Sequence, residues 1–330
     1  MKVNGILKDI FIADGHCDTV HHFRGTAGYN FSKANNIGHI DLPRLQKGGV
    51  ALQFFALFVE PEFKPFQALQ RTLQLMEHFL SEMKKNGDQI KVIRTQQDLA
   101  EAIKQQKLAA LMSLEGAEAL EAGVEILQIF FRLGLRGVGL TWNQRNGLAD
   151  GVSVGKAAGG LTKLGKTMVQ EMNRLGIIVD GAHLAPRGFF DLLETSTKPV
   201  VISHANAAAL CSHPRNLSDE QLKALRDHGG VVGLTVFPDF IVDEGPATLA
   251  DLLDHFCYIA EHFGTDILAI GADYDGIKNT VEELSDVSKM PLLLHGLLER
   301  GFSKNEVKKI AGENLLRIVR STLPKEEVIF

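Results

Sequence analysis

The sequence has few of the features that mark secreted, membrane-spanning or nucleic-acid-binding proteins. Its 330 residues include three cysteines and no CxxC spacing, so we expect neither a disulfide framework nor a thiolate zinc site, and a reducing cytoplasm is the expected location. No uninterrupted apolar stretch reaches about 18 residues, and neither end of the chain resembles a signal peptide or lipid anchor, so no membrane contact is expected. Lys and Arg (35) are fewer than Asp and Glu (40), and the net charge of −5 argues against a nucleic-acid surface. A small molecule is the expected partner.

The composition is that of a globular protein with a large core. Hydrophobic residues make up 45% of the chain and charged residues 23%, which allows a sizeable core without help from disulfides. The length fits one large α/β barrel, and no repeat, linker or low-complexity tract divides the chain. We therefore predict one domain over residues 1–330.

Short apolar runs alternate with segments of helical periodicity along the chain. Runs this apolar are typical of parallel strands that are buried on both faces. Eight such units predict a (β/α)₈ TIM barrel, in which functional residues lie at the C-terminal ends of the strands. The runs cover residues 10–14, 50–59, 108–115, 137–142, 176–183, 200–205, 230–237 and 267–275.

Three of the intervening segments predict amphipathic helices, at 65–87, 117–134 and 219–230. Ser218 and Gln221 have the spacing of a capping box at the start of the third helix. The glycine-rich segment 151–160 predicts an irregular loop at the active site.

Five side chains with metal-binding chemistry follow the predicted strands. Each has a structural alternative: His16 and Asp18 could cap a turn and a helix, Glu115 could favour a helix N-terminus, and a single histidine is more often a core residue. Five such residues on one rim of a barrel are better explained by a shared site. These candidates are His16, Asp18, Glu115, His183 and His204.

The last run ends in two aspartates, Asp273 and Asp275, which would share one side of an extended chain. One of them could be a general acid or base, because a nearby cation keeps a carboxylate ionised. The alternative is a pair of turn-forming aspartates before Gly276. We favour Asp273 because it is the first after the apolar run.

The five donors offer nitrogen and oxygen but no sulfur, which suits zinc and also manganese, iron or cobalt. A catalytic zinc usually has three protein ligands, so five donors predict two ions bridged by a carboxylate and a hydroxide.

The chain resembles the membrane (renal) dipeptidase family of zinc peptidases, peptidase family M19. The resemblance implies that His16 and Asp18 bind one zinc, that His183 and His204 bind the other, and that Glu115 bridges both. It also implies a homodimer. The motifs that carry it are DGHCDT (14–19), SLEGAEAL (113–120), LTWNQRN (140–146), VDGAHL (179–184), VISHANAAALCSHPRN (201–216) and GADYDG (271–276).

The same resemblance implies roles for substrate-contacting residues. Asp273 matches the family's acid/base aspartate, and Arg215 matches an arginine that holds the substrate's terminal carboxylate. Trp142 is a departure, because the mammalian enzyme has at this point a histidine that helps to polarise the scissile carbonyl. Asn143 is a candidate replacement for that histidine, and the alternative is that no residue replaces it.

The leading hypothesis is hydrolysis of dipeptides by a metal-bridging hydroxide, and the family resemblance implies that a C-terminal D-residue is tolerated. Asp273 would pass a proton to the leaving amine. A second hypothesis changes the substrate to an N-acyl amino acid, a lactam or a lactone, since Trp142 alters the pocket. A third is a binding or scaffold protein that keeps metals for stability alone, which the presence of Asp273 disfavours.

Overall fold

A sheet of nine parallel strands forms the centre of the computed structural model, which describes residues 10–326. Every strand pairing is parallel. The strands are β1 (Ile12–Asp14), β2 (Val50–Phe58), β3 (Ile90–Val92), β4 (Leu108–Glu115), β5 (Leu135–Gly139), β6 (Ile178–Asp180), β7 (Val201–Ile202), β8 (Val231–Leu234) and β9 (Leu268–Ile270).

The sheet closes on itself because β2 pairs with both β1 and β4. Eight strands, all except β3, form the closed ring. The predicted (β/α)₈ barrel is thereby confirmed, and each of the eight predicted runs overlaps one strand of the ring. The one strand outside the ring, β3, is not among the predicted runs. It pairs with Leu108–Ala110, the first residues of β4, whereas β5 pairs with β4 only from Met112 onward.

Helices cover the outside of the barrel and bury their apolar faces against it. The predicted helix 65–87 is observed as Ala68–Lys85 and 219–230 as Asp219–Asp227, the latter with the predicted capping box. The helices are α1 (Leu42–Gly48), α2 (Ala68–Lys85), α3 (Gln96–Lys104), α4 (Val124–Arg132), α5 (Lys163–Leu175), α6 (Pro186–Thr195), α7 (Asp219–Asp227), α8 (Leu249–Phe263), α9 (Met290–Glu299), α10 (Lys304–Lys308) and α11 (Asn314–Thr322).

The prediction of one continuous helix over 117–134 is wrong. A 3₁₀ turn at Glu118–Leu120 is separated from α4 by Gly123, whose φ of 127° lies outside the helical range. Glycine adopts such a φ without a Cβ penalty, so the chain turns there and α4 starts afresh.

The predicted strand runs are longer than the observed strands at the end that carries the candidate site. β6 stops at Asp180 and β7 at Ile202, so His183 and His204 lie just beyond strands rather than in them. The predicted loop 151–160 contains a short 3₁₀ segment, Val152–Ala157, which departs from helical geometry at Gly155. The backbone N–H of Val152 donates to the carbonyl of His183 at 2.9 Å, which places this segment beside the site.

Within residues 10–326, no helix has both the length and the apolar character that crossing a membrane would require.

Candidate metal centre and active site

The five candidate ligands meet at the C-terminal mouth of the barrel, and Glu115 lies between the other four. Its Oε2 atom is 3.6 Å from His16 Nε2. Its Oε1 atom is 2.7 Å from His183 Nε2 and 3.6 Å from His204 Nε2. His16 Nε2 is in turn 3.2 Å from Asp18 Oδ2. The two oxygens of one carboxylate therefore face two separate groups of donors.

His16 and Asp18 are held by the backbone that continues β1. The Asp14 carboxylate accepts hydrogen bonds from the backbone N–H groups of His16 and Ala272, at 3.2 and 2.9 Å. The N–H of Asp18 donates to the carbonyl of Tyr274 at 2.9 Å. These bonds tie the segment after β1 to the segment after β9, so both deliver their side chains to one place.

His183 and His204 present ring nitrogens to the same point, with their Nε2 atoms 2.9 Å apart. The Nδ1 atom of His183 lies 2.7 Å from Asn143 Oδ1, an acceptor, which favours the tautomer with a proton on Nδ1 and a lone pair on Nε2. The Nδ1 atom of His204 is 2.8 Å from Ser203 Oγ. Asn143, considered from sequence as a contact to the scissile carbonyl, is instead turned toward His183.

The charges of the cluster fit a bound cation. Burial would lower the pKa of His16, but Glu115 and Asp18 raise it to about 10. Burial would likewise raise the pKa of Glu115, yet His16 and His183 lower it to about 2. Protonated His16 thus compensates buried carboxylates, a task that a metal ion performs when it displaces such protons.

Two further observations support this fit. Asp18 Oδ1 is buried and has no hydrogen-bond partner among the described residues. Burial, followed by the charge of Arg215, lowers the pKa of His183 to about 3, so its ring is neutral at pH 7 and able to coordinate. Three overlapping groups of these side chains, one including Asp273, have donor atoms within 4.8 Å of one another.

Asp273 and Asp275 differ from the extended pair expected from sequence. Their φ angles are 65° and 68°, in the left-handed region that few residues other than glycine adopt. Asp273 Oδ1 faces the cluster, 3.7 Å from His16 Nε2. Asp275 instead accepts hydrogen bonds from Thr19 Oγ1 at 2.7 Å and from the backbone N–H of His39 at 2.5 Å. The Asp273 carboxylate therefore faces the candidate metal ligands, whereas the Asp275 carboxylate binds Thr19 and His39.

Burial raises the pKa of Asp273 well above its usual range, and the neighbouring carboxylates of Asp18 and Glu115 act in the same direction. His16 and Arg215 oppose them. A carboxyl group whose pKa is raised in this way can hold a proton at a pH where carboxylates are usually ionised, which suits general acid and base chemistry.

The cavity above the cluster has two lobes that share the face formed by Trp142, His183, His204 and Asp273. One lobe, of about 460 Å³, contains Arg215. The Arg215 side chain is buried, its Nη2 donates to the carbonyl of His204 at 3.1 Å, and its Nε has no partner among the described residues. An unpartnered guanidinium donor in a cavity is suited to an anionic group.

The other lobe, of about 350 Å³, contains residues that sequence reasoning did not identify. Phe58 is the last residue of β2, and Glu60 comes two residues later. Because functional residues of a (β/α)₈ barrel lie at the C-terminal ends of its strands, both could have been identified from the sequence. Arg24 comes from the 3₁₀ segment Thr19–Arg24 and carries no comparable sequence signal. Trp142 lines both lobes, with its ring centroid 5.1 Å from that of Phe58.

Comparisons with known proteins agree with this architecture. "Dipeptidase tcpJ" of Claviceps purpurea is 32% identical over 93% of this chain and 76% of its own length. "Dipeptidase verJ" of Clonostachys rogersoniana is 31% identical over 97% of this chain and 86% of its own. A metallopeptidase structure from Rhodobacter sphaeroides, liganded with a phosphinate mimic of the dipeptide L-Ala-D-Ala, superposes with a TM-score of 0.88 at 30% identity, over 95% of this chain and 99% of that one.

A family model matches nearly the full length of the chain. The model describes the membrane dipeptidase family, peptidase family M19, and it matches residues 1–327. The chain therefore belongs to this family and is a hydrolase of the metal-dependent dipeptidase class. The resemblance drawn from the sequence motifs is confirmed.

Proposed function

We propose that this protein is a zinc-dependent dipeptidase that hydrolyses the peptide bond of dipeptides. The observation that carries the proposal is the position of the Glu115 carboxylate, with one oxygen toward His16 and the other toward His183 and His204. The cavity beside it contains the buried guanidinium of Arg215. Such an arrangement suits a small substrate with a free carboxylate.

Two divalent ions fit the donors: His16 and Asp18 would hold one, His183 and His204 the other, and Glu115 both. Bound there, such ions lower the pKa of water and polarise a carbonyl group. Asn143 fixes the ring of His183 through its Nδ1 atom, and Ser203 contacts that of His204, so both rings keep Nε2 toward the centre.

The chain's own residues position the substrate and move its proton. Arg215 binds the terminal carboxylate through its free Nε and remaining donors, which places the scissile bond over the cluster. As a water molecule attacks the scissile carbonyl carbon, Asp273 takes up that water's proton at its carboxylate and delivers it to the amine nitrogen, which departs as the C–N bond breaks. Trp142 and Phe58 form an apolar wall that limits access of bulk water.

Stereochemistry at the C-terminal residue is part of the same proposal. The Rhodobacter sphaeroides structure, at 30% identity, binds a mimic of a dipeptide that ends in D-Ala. The Arg215 lobe is the larger of the two, and we propose that it accepts C-terminal D-residues.

A dipeptide panel tests the function. Protein treated with chelator and then reloaded with zinc is assayed with L,L and L,D dipeptides, with an N-acyl amino acid, a lactam and a lactone as alternatives. We expect dipeptide turnover that is lost with chelator and regained with zinc. Turnover of the acyl amino acid, lactam or lactone without dipeptide turnover would contradict the proposal, as would bound metal with no turnover of any substrate.

We also propose that the chain acts as a single domain over residues 1–330, as a homodimer in the cytoplasm. The three cysteines are free, which agrees with a reducing compartment. The dimer rests on the family resemblance, and light scattering of the purified protein tests it. A monomeric mass at assay concentration would remove the dimer from the proposal.

A further inference from the structure

The lobe of the cavity that lies away from Arg215 has its own charged group at the mouth. This lobe, lined by His21, Arg24, Phe58 and Glu60 together with Trp142, is called here the distal lobe. If Arg215 holds the C-terminal carboxylate, the N-terminal residue of a dipeptide extends across the cluster toward the distal lobe. The side chain of that residue then meets whatever charge the lobe presents.

Glu60 forms ion pairs with two arginines, Arg24 and Arg71. Its Oε1 accepts from Arg24 Nη1 at 2.7 Å and from Arg71 Nη2 at 2.6 Å, and its Oε2 accepts from Arg71 Nε at 2.8 Å. Two guanidinium groups on one carboxylate give a net charge of +1. Both Glu60 oxygens already accept hydrogen bonds, so Glu60 is a poor site for an ammonium group. The triad of Glu60, Arg24 and Arg71 therefore favours an anion.

Arg24 is the member of the triad that faces the lobe. Its side chain is 36% exposed, whereas that of Arg71 is 8% exposed and does not line the cavity. The Nε of Arg24 donates to the carbonyl of His21 at 3.2 Å, while its Nη2 donates to no group within residues 10–326. The two N–H groups of Nη2 are therefore available to a ligand.

Arg24 also supplies the positive charge of this lobe. Arg24 is the only lysine or arginine among the described residues that line the lobe, and its guanidinium is always protonated. The carboxylates of Asp18 and Asp273 lie at the inner end of the lobe, beside the cluster. A substrate's α-ammonium, which is attached next to the scissile carbonyl, stays near those carboxylates, and only a longer side chain reaches Arg24.

On the basis of the proposed dipeptidase function, we infer that Arg24 is a specificity-determining residue that selects dipeptides with an acidic N-terminal side chain. The chemistry is a charge-assisted hydrogen bond between its guanidinium and the substrate's side-chain carboxylate. Glutamate suits the position better than aspartate, because its carboxylate stands one methylene further from the scissile bond. Glu60, itself held by Arg71, fixes the Arg24 guanidinium at the mouth.

The test compares Glu-Ala with Gln-Ala, which has the same shape without the charge, and with Lys-Ala. For the zinc-loaded full chain we expect kcat/KM to be about five to ten times higher for Glu-Ala than for Gln-Ala, and lowest for Lys-Ala. The Glu-Ala to Gln-Ala ratio should fall as salt is raised from about 0.05 M to about 0.5 M.

Variants of Arg24 assign the preference. In Arg24→Gln the Glu-Ala to Gln-Ala ratio should fall to about one, and Arg24→Lys should restore part of it. Arg300→Gln is the matched control, because Arg300 is 35% exposed and also pairs with a single carboxylate, Asp254, but lies away from the cavity. The control should keep the wild-type ratio.

The possible results separate the inference from the function on which it rests. A wild-type ratio of one or less, or a ratio unchanged in Arg24→Gln, overturns the inference while dipeptide turnover leaves the function intact. Failure of the zinc-loaded wild type to hydrolyse Glu-Ala overturns the inference, and failure on the whole panel of L,L and L,D dipeptides overturns the proposed function as well.

Discussion

At the scale of single residues, Asp273 is assigned proton transfer, whereas His16, Asp18, Glu115, His183 and His204 are assigned to the proposed metals. Asp273→Asn keeps the size of the side chain but cannot hold or release a carboxyl proton. We expect it to retain zinc and to lose roughly 10²- to 10⁴-fold in kcat. Metal content and steady-state rates are measured on the same samples, with Asp254→Asn, a surface substitution, as control. Wild-type kcat in Asp273→Asn would remove this residue from the mechanism.

Arg215 is assigned the terminal carboxylate of the substrate. In Arg215→Met we expect kcat/KM for a dipeptide to fall by about tenfold to a hundredfold, because a charge-assisted hydrogen bond is lost. The wild type should also discriminate against the same dipeptide with a C-terminal amide, and the variant should not. Equal discrimination by both proteins would show that another group reads the carboxylate. Circular dichroism of the variant checks that its fold is retained.

At the scale of secondary-structure elements, the segment after β9 depends on Gly276. A Cβ at this position would lie 2.2 Å from Asp18 Oδ2 and 2.5 Å from Asp273 Oδ1, too close for either carboxylate to stay in place. We expect Gly276→Ala to weaken zinc binding and turnover much more than it lowers the melting temperature.

Gly159→Ala serves as its control, since a Cβ there would meet only Asp150 Oδ2, at 3.5 Å, an ordinary contact. Zinc titration followed by thermal denaturation of both variants gives the comparison. Wild-type zinc affinity in Gly276→Ala would show that the Asp18 and Asp273 carboxylates are not fixed by this close approach.

Helix α7 follows the loop that carries Arg215 and begins at the capping box of Ser218 and Gln221. We expect Ser218→Ala to lower the free energy of unfolding by about 1 kcal/mol, because the backbone N–H of Gln221 loses its acceptor. Ser218→Asp should retain most of this stability, since aspartate also caps helices. Urea denaturation measures both. Equal losses in the two variants would mean that the cap itself contributes little.

The strands could be predicted from the sequence better than the backbone conformation of the loops that follow them. Long apolar runs such as 50–59 and 108–115 identify barrel strands because both faces are buried. The three-residue β3 is too short to produce such a run. The left-handed φ angles of Asp273 and Asp275 are imposed by contacts with segments far along the chain, which local pattern does not encode.

In the site, too, residues at strand ends were predicted from the sequence, whereas contacts between loops were not. Strand ends pointed to Glu115, His183 and His204, and the structure brings them together. The contact of Asn143 with His183, and the position of Arg24 at the cavity mouth, depend on how loops from different βα units pack. The roles of these residues as ligands and substrate contacts stay predictions.

At the scale of the whole molecule, the proposed metals join residues at or just beyond the C-terminal ends of four different strands. An ion that binds the folded chain and not the unfolded one stabilises it by about 2.7 kcal/mol at a concentration one hundred times its Kd. We therefore expect chelation to lower the melting temperature and added zinc to restore it. Calorimetry of the chelated and reloaded protein tests this. Identical melting curves would contradict binding that spans β1, β4, β6 and β7.

In the proposed metal centre one carboxylate, that of Glu115, lies between two metal ions. Anomalous diffraction at the zinc edge from crystals of zinc-loaded protein tests it most directly. We expect two peaks, one on each side of Glu115: the first beside His16 and Asp18, the second beside His183 and His204. A single peak remote from Glu115, or none near these five side chains, would contradict it.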